Sequence, residues 1–276
     1  MFILKDWDSI CEKVKESGYP CITAARLVES SSLGQFVILK HDVETSPQKA
    51  LQLAFIENKY GLHGTYYIQA YLLGKRGNLK ILDKLRSMGH EVTYHHDVLD
   101  ACKGNFEAAI EEFRKNVLTF ESNGFKITTV CQHGNPIIKR EGYYSNRDFF
   151  RSERITKLFP AIVDVAVNFR EKTGRDFRYI SDSGYSWMEI PDMEYNDLPD
   201  ARPAIPVKGI DDIFSILNKG DSLILSVHPH RWMGSEFESR AKKFVFRFAK
   251  IIAKLAMKIR PLNKIMERFY YLAKKI

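Results

Sequence analysis

Short apolar runs alternate with amphipathic stretches along most of this 276-residue chain. The apolar runs predict strands at 36–39, 64–69, 90–95, 126–132, 177–181 and 222–227. Stretches with apolar residues at helical spacing predict helices at 46–61, 78–89, 105–124 and 209–220. The segment 189–206, which contains four prolines, predicts a loop that covers one end of the molecule. Alternation of strands and helices favours an α/β fold with a mainly parallel sheet or barrel.

Polar and ionisable side chains follow five of the predicted strands. Because α/β proteins hold their active sites at the carboxyl ends of parallel strands, these side chains are expected to meet at one rim. They are His41, Asp42 and Glu44; His95, His96 and Asp97; His133 and Asn135; Asp182; and His228, His230 and Trp232.

Each of these groups also has a structural interpretation. Asp42 and Glu44 could cap the helix that follows, but Ser46 already provides that cap. Two residues apart on an extended segment, they point to the same side, so we expect both to face one pocket. The segment 95–97 is either a polar turn or part of a divalent-metal site, and 133–136 is either a Gly-Pro turn or a substrate or metal contact.

The last group offers a catalytic candidate and a candidate binding surface. His228 lies nearer the end of its strand than His230 and is the better catalytic candidate, while Trp232 could form an apolar wall against a sugar. Cys131 is expected to be a small buried residue rather than a nucleophile.

Charge divides the chain into two parts. Residues 240–276 hold twelve of the 42 Lys and Arg residues and one acid, Glu267, so residues 1–239 are mildly acidic. We therefore predict a body over 1–239 and a basic amphipathic helical tail over 240–276. The tail either packs its apolar stripe on the body or lies on an anionic membrane surface. Nucleic acid is not expected as a partner, because the body is acidic and no base-stacking motif interleaves the charges.

The remaining composition bears on location. No apolar run approaches the ~20 residues that span a bilayer, and the N-terminal apolar run is too short for a secretory signal. The four cysteines form no CxxC pair, which is typical of reduced thiols. We predict a cytoplasmic protein whose membrane contact, if present, is peripheral on the inner face.

Five motifs in this order resemble the polysaccharide deacetylase (NodB-homology) family of carbohydrate esterases. They are FVILKHDVE, GHEVTYHHDVLD, CQHGNP, SDSGYSW and LSVHPHRW. The resemblance runs from about residue 36 to 232 and is strongest to a divergent branch whose first motif reads His-Asp-Val-Asp. It implies a distorted (β/α) barrel of the NodB type, followed here by the basic helical extension, and a divalent metal, above all zinc.

The resemblance also implies roles for individual residues. Asp42 would be the general base, Glu44 and His95 metal ligands, and His228 the general acid. The second histidine of the family's HxxxH motif falls on Leu99, so a replacement must come from His96, Asp97, Asp100 or His133, and we favour His133. The second acid of the first motif is Glu rather than Asp, and the motif that usually supplies an arginine is missing.

These roles predict a metal-dependent hydrolase that removes an N-acyl group from an amino sugar during surface polysaccharide or lipopolysaccharide biosynthesis. The alternative is a catalytically altered barrel that binds a glycan precursor or an assembly partner at the membrane surface. The predicted substrate-binding residues are His41, His96, Asp97, Asn135, Asp182, His230 and Trp232.

Overall fold

A computed structural model describes residues 2–30, 34–135, 138–217 and 220–256, with the backbone alone for 247–256. Nine strands in these ranges are β1 (Val37–Val43), β2 (Thr65–Ile68), β3 (Glu91–His96), β4 (Thr129–Gln132), β5 (Val163–Asp164), β6 (Arg178–Ser181), β7 (Met188–Glu189), β8 (Ile205–Pro206) and β9 (Leu223–Val227). The helices are α1 (Leu4–Glu16), α2 (Ala24–Glu29), α3 (Pro47–Lys59), α4 (Arg76–Ser87), α5 (Val98–Ala101), α6 (Phe106–Ser122), α7 (Arg147–Arg151), α8 (Glu153–Leu158), α9 (Phe169–Thr173), α10 (Ile210–Leu217) and α11 (Glu236–Ala256).

The strands form one sheet in the order β5-β4-β3-β2-β1-β9-β6-β7-β8. The pairings from β5 to β6 are parallel, and β7 and β8 join as an antiparallel edge. This is the predicted α/β architecture with a parallel-rich sheet. Over the described ranges no pairing joins β5 to β8, so the closure into a distorted barrel stays a prediction.

All six predicted strands and all four predicted helices between them are present, with shifted boundaries. The largest shift is in β1, which runs four residues beyond its predicted end because its polar residues pair with β2, as in Asp42 with Tyr67. The segment 189–206 is not only loop, since β8 pairs there with β7. The strands β5, β7 and β8 were not predicted, and each has only two residues.

Local sequence explains where the helices begin. The Ser46 side chain accepts a hydrogen bond from the Lys49 amide, and Pro47 occupies the first turn of α3. Asn105 caps α6 in the same way, by accepting from the Ala108 amide. Both helices follow strands and pack against the sheet, so each strand's carboxyl end emerges at the same rim.

Apolar side chains cover both faces of the sheet. Phe36, Ile38 and Tyr67 belong to one buried cluster on one face. The other face packs against the helices and holds two buried clusters. Tyr66 and Tyr94 belong to one of these clusters, and Leu39 and Leu225 belong to the other. The sheet is thus buried on both sides, as parallel sheets are.

The basic segment begins inside a helix. Helix α11 runs from Glu236 to Ala256 and therefore crosses the predicted boundary at residue 240, and the proposed division into body and tail remains a prediction. Phe246 packs its ring 4.9 Å from that of Tyr185. The last part of the predicted tail, 257–276, lies outside the described residues. Within the described part of the chain, no helix combines the length and apolarity needed to cross a membrane.

Candidate active site

A cavity of about 460 Å³ opens at the carboxyl ends of the parallel strands. Asp42 and Glu44 line it from β1 and the residue just beyond it, His95 from β3 and His228 from the end of β9. The predicted convergence of separate segments at one rim is therefore observed for these four residues.

Glu44, His95 and His133 form a group that could hold a metal ion, since their ligand atoms all lie within 4.8 Å of one another. The Glu44 Oε1 atom is 3.2 Å from His133 Nε2. Two imidazoles and a carboxylate are a donor set that catalytic zinc sites use, with further positions open to water or substrate. The residues therefore fit a divalent cation.

The protonation states of His95 and Glu44 suit metal binding. Burial lowers the pKa of His95 to about 3, so its imidazole is neutral at pH 7. Burial would raise the pKa of Glu44, but the hydrogen bond and charge of His133 hold it well below its usual range. The His95 Nδ1 atom lies 2.9 Å from the Cys131 carbonyl oxygen; if it donates there, Nε2 is left as the free electron-pair donor.

A second group with metal-ligand chemistry, Asp42, His95 and Cys131, is a poorer cation site. Burial raises the pKa of the Cys131 thiol, which keeps it protonated. Both carboxylate oxygens of Asp42 already accept from the Lys40 ammonium, at 2.5 and 2.6 Å.

Asp42 is an ionised carboxylate held in a buried position. Burial would raise the pKa of Asp42, yet Lys40, with His95 and His228, lowers it to about 2. Lys40 is itself 1% exposed and also donates to the Ser226 hydroxyl at 3.2 Å. The carboxylate is thus available to accept a proton at neutral pH.

His228 is oriented by Asp182. The Nδ1 atom of His228 lies 2.6 Å from Asp182 Oδ1, and Nε2 lies 3.9 Å from Asp42 Oδ2 and 3.8 Å from Glu44 Oε1. Burial would raise the pKa of Asp182, but His228 and Arg231 lower it. An ionised Asp182 therefore fixes the ring and favours a proton on Nδ1, with Nε2 directed towards the two carboxylates.

Asp182 and Trp232, both predicted to bind substrate, do not line the cavity and instead support His228. Asp182 is fully buried and accepts hydrogen bonds from the His228 amide and from Arg231. Trp232 is also fully buried; its indole N–H donates to Asp182 at 3.3 Å, and its ring packs 5.0 Å from Trp7. The structure does not bring Trp232 to a position where it could form a sugar wall.

His41 and His96 are placed away from the cavity by the alternation of side chains along their strands. His41 stacks on Tyr66, with ring centroids 4.1 Å apart, and its Nε2 lies 2.9 Å from Glu57. His96 binds Asp164 at 2.8 Å. Both imidazoles are fully buried.

The other predicted residues divide between the cavity and its surroundings. Asn135 lines the cavity, and His230 lies beside it, with Nδ1 3.9 Å from Glu44 Oε2. Asp97 immediately precedes α5 and is not among the residues that line the cavity. Asp100, one candidate for the third ligand, instead receives two hydrogen bonds from Arg140 at 2.8 Å.

Sequence reasoning missed several residues that line the cavity. They are Lys40, Gln132, Arg140, Tyr144, Ser145, Arg147, Asn196, Asp197 and Arg231. The position of Lys40 could have been inferred from the sequence. A lysine inside an apolar run, two residues before Asp42, must be buried on the same side of the strand as Asp42. Most of the others lie on loops or short helices, where neither strand nor helix periodicity indicates direction.

The chain is distantly similar to solved structures of a peptidoglycan deacetylase. Two solved structures of PdaC from Bacillus subtilis, one of them a point mutant, match with a TM-score of 0.37. They are 10% and 11% identical in sequence, and each match covers 83% of this chain and 99% of the other. No family model and no curated protein matches the chain. This distant likeness concerns the fold, and the chemistry has to be inferred from the cavity itself.

Proposed function

We propose that this chain is a metal-dependent amide hydrolase that removes an acyl group, such as acetyl, from an amino sugar of a surface glycan precursor. One observation carries the proposal: Asp42, which Lys40 holds ionised, lines one cavity with Glu44, His95 and the carboxylate-oriented His228. His133 completes the Glu-His-His ligand group, with its ligand atom within 4.8 Å of those of Glu44 and His95. Amide hydrolysis needs an acceptor for the proton of water, stabilisation of the oxyanion and a proton for the leaving amine.

Glu44, His95 and His133 would hold the divalent cation, and zinc suits this donor set. A divalent cation acidifies water to a pKa near ~7 and polarises a carbonyl group as a Lewis acid. The neutral His95 and the ionised Glu44 offer electron pairs without first losing protons.

Asp42 would accept the proton from the attacking water. Its two oxygens stay bound to the Lys40 ammonium, so the carboxylate is fixed in direction as well as in charge. The Nε2 atom of His228, 3.9 Å from Asp42 Oδ2, would donate the proton to the leaving amine. Asp182 stabilises the imidazolium form that this step requires.

The test is acetate release from N-acetylglucosamine oligomers and from nucleotide-linked N-acetylglucosamine by the purified chain. Hydrolysis that stops with a chelator and returns with zinc is the expected result. Carbohydrate binding without hydrolysis under any metal would favour the alternative, a barrel that binds a glycan precursor without acting on it.

We also propose that the chain works at the cytoplasmic face of an anionic membrane, held there by helix α11 and the basic residues after it. Phe237 and Phe244, seven residues apart on one side of the helix, are 82% and 71% exposed. Arg240 and Lys243 lie between them in sequence, a pattern typical of helices that lie in a bilayer interface. Each basic residue near such a surface adds about 1 kcal/mol of attraction.

A further inference from the structure

The cavity is lined by more cationic groups than its chemistry uses. Besides Lys40, three arginines line it, namely Arg140, Arg147 and Arg231. Arg140 is paired with Asp100, and Arg231 donates to Asp182 at 3.0 Å. Arg140 and Arg231 are therefore each neutralised by a buried carboxylate, as Lys40 is by Asp42.

Arg147 differs from them. Its nearest carboxylate contact among the described residues is Asp197, at 4.0 Å, beyond hydrogen-bond distance. Asp197 is already committed, because it accepts from Arg151 at 2.6 and 3.0 Å and from the Ser145 hydroxyl at 2.5 Å. Among the described residues, no carboxylate therefore hydrogen-bonds the guanidinium of Arg147.

The surroundings of Arg147 hold its side chain in place without a hydrogen-bonded carboxylate. Its side chain is only 11% exposed, and its buried Nε has no hydrogen-bond partner among the described residues. When the Gln132 amide is oriented so that its oxygen and its nitrogen both have hydrogen-bond partners, the oxygen accepts from Arg147 Nη1 at 3.3 Å. A nearly buried guanidinium that no carboxylate hydrogen-bonds offers its free donors to an anion that enters the cavity.

We infer that Arg147 binds an anionic group of the substrate, a carboxylate or a phosphate, in the same cavity as the hydrolytic groups. The planar guanidinium fork matches either anion in a two-bond geometry. This inference rests on the proposed function, because it takes the molecule in the cavity to be an N-acyl amino sugar. It narrows the substrate class to those amino sugars that carry a negative charge.

Binding can be measured without turnover, by calorimetry with three probes: N-acetylglucosamine, N-acetylglucosamine 1-phosphate and N-acetylmuramic acid. We expect one of the two anionic sugars to bind at least ~10-fold more tightly than the neutral sugar, as a charge-assisted pair provides. The tighter of the two identifies the anion as phosphate or carboxylate.

Three variants locate the preference. Arg147→Gln should abolish it while leaving the affinity for N-acetylglucosamine unchanged. Arg154→Gln removes the same charge from a side chain that is 57% exposed and paired with Glu107, and should keep the preference. Arg147→Lys, which keeps the charge but loses the fork, should retain part of it.

Equal affinity for all three sugars, no binding of either anionic sugar, or a preference that survives Arg147→Gln would overturn the inference. The last result would place the anion on a metal ion or on another arginine. Inorganic phosphate separates this inference from the proposed function: phosphate binding that depends on Arg147, in a chain that hydrolyses no amide, would support the anion site and reject the hydrolase.

Discussion

Lys40 donates to both carboxylate oxygens of Asp42, two residues further along the same buried strand. The pair leaves the candidate base ionised in a place where burial alone would protonate it. The cation beside the candidate base therefore comes from the same strand as the base itself.

Lys40→Met should move the acidic limb of the pH–rate profile upward. Without the ammonium, burial raises the pKa of Asp42 from about 2 towards and beyond that of a free aspartate, so the base is protonated at higher pH. The measurement is kcat/KM between pH 4 and 8. Lys40→Arg, which preserves the charge, is the control. An unchanged acidic limb in Lys40→Met would show that Asp42 does not need this cation.

Glu44→Ala and His95→Ala should each remove the stoichiometric divalent ion from the purified protein. The two residues contribute donor atoms to the same group, and loss of one leaves too few protein ligands for tight binding. Elemental analysis of the folded variants gives the answer. His63→Ala, which removes an exposed imidazole outside the cavity, should keep its metal. Full occupancy in both cavity variants would place the cation elsewhere.

Asp182→Asn should lower kcat with little change in KM. Asp182 is buried and contacts His228 rather than the cavity, so its loss misorients the proton donor without removing a substrate contact. We expect a fall of up to ~10²–10⁴-fold, the contribution that a positioned acid or base makes. The measurement is steady-state kinetics. A selective rise in KM would instead return Asp182 to the substrate-binding role predicted from sequence.

Asp182 should also stabilise the fold in a pH-dependent way. Its pKa is lower in the folded chain than in the unfolded chain, so its contribution is complete above about pH 4 and declines as pH falls further. The difference in unfolding free energy between the parent and Asp182→Asn should therefore shrink as the pH falls below about 4. Urea unfolding at several pH values from about 5 downward measures it. A difference that grows as the carboxylates are protonated would contradict the assignment.

His96→Ala should destabilise the protein without changing its metal content. His96 is paired with Asp164 at 2.8 Å and lies against the ring of Phe113, away from the cavity. Removing one partner of a buried pair typically costs ~3–5 kcal/mol of unfolding free energy. Urea unfolding and elemental analysis test the two statements. Metal loss in a variant of near-parental stability would make His96 a ligand.

Much of the fold could be predicted because hydrophobic periodicity is a local property. The run at 222–227 and the amphipathic stretch at 105–124 became β9 and α6. The two-residue strands β5, β7 and β8 are too short to show a period, and they exist because neighbouring strands pair with them. The first helices, α1 and α2, were not among the predicted elements.

The site was predictable where it lies on strands. The alternation of side chains places Asp42 and Glu44 on one side of the chain, as expected. The same alternation turns His41 and His96 away from the cavity, although both were predicted to bind substrate. Trp232 follows a short 3₁₀ turn after β9, where no periodicity indicates direction. Arg140 and Arg147 come from segments that carry no motif, whereas Arg231 belongs to the motif LSVHPHRW but was not among the predicted site residues.

The most direct measurement of the central claim combines hydrolysis and metal content in Asp42→Asn. If Asp42 is the base and Glu44, His95 and His133 hold the cation, the variant keeps one divalent ion per chain, and release of acetate from an N-acetyl amino sugar falls ~10²–10⁴-fold. Full activity in Asp42→Asn, or loss of the ion together with activity, would contradict this division of roles.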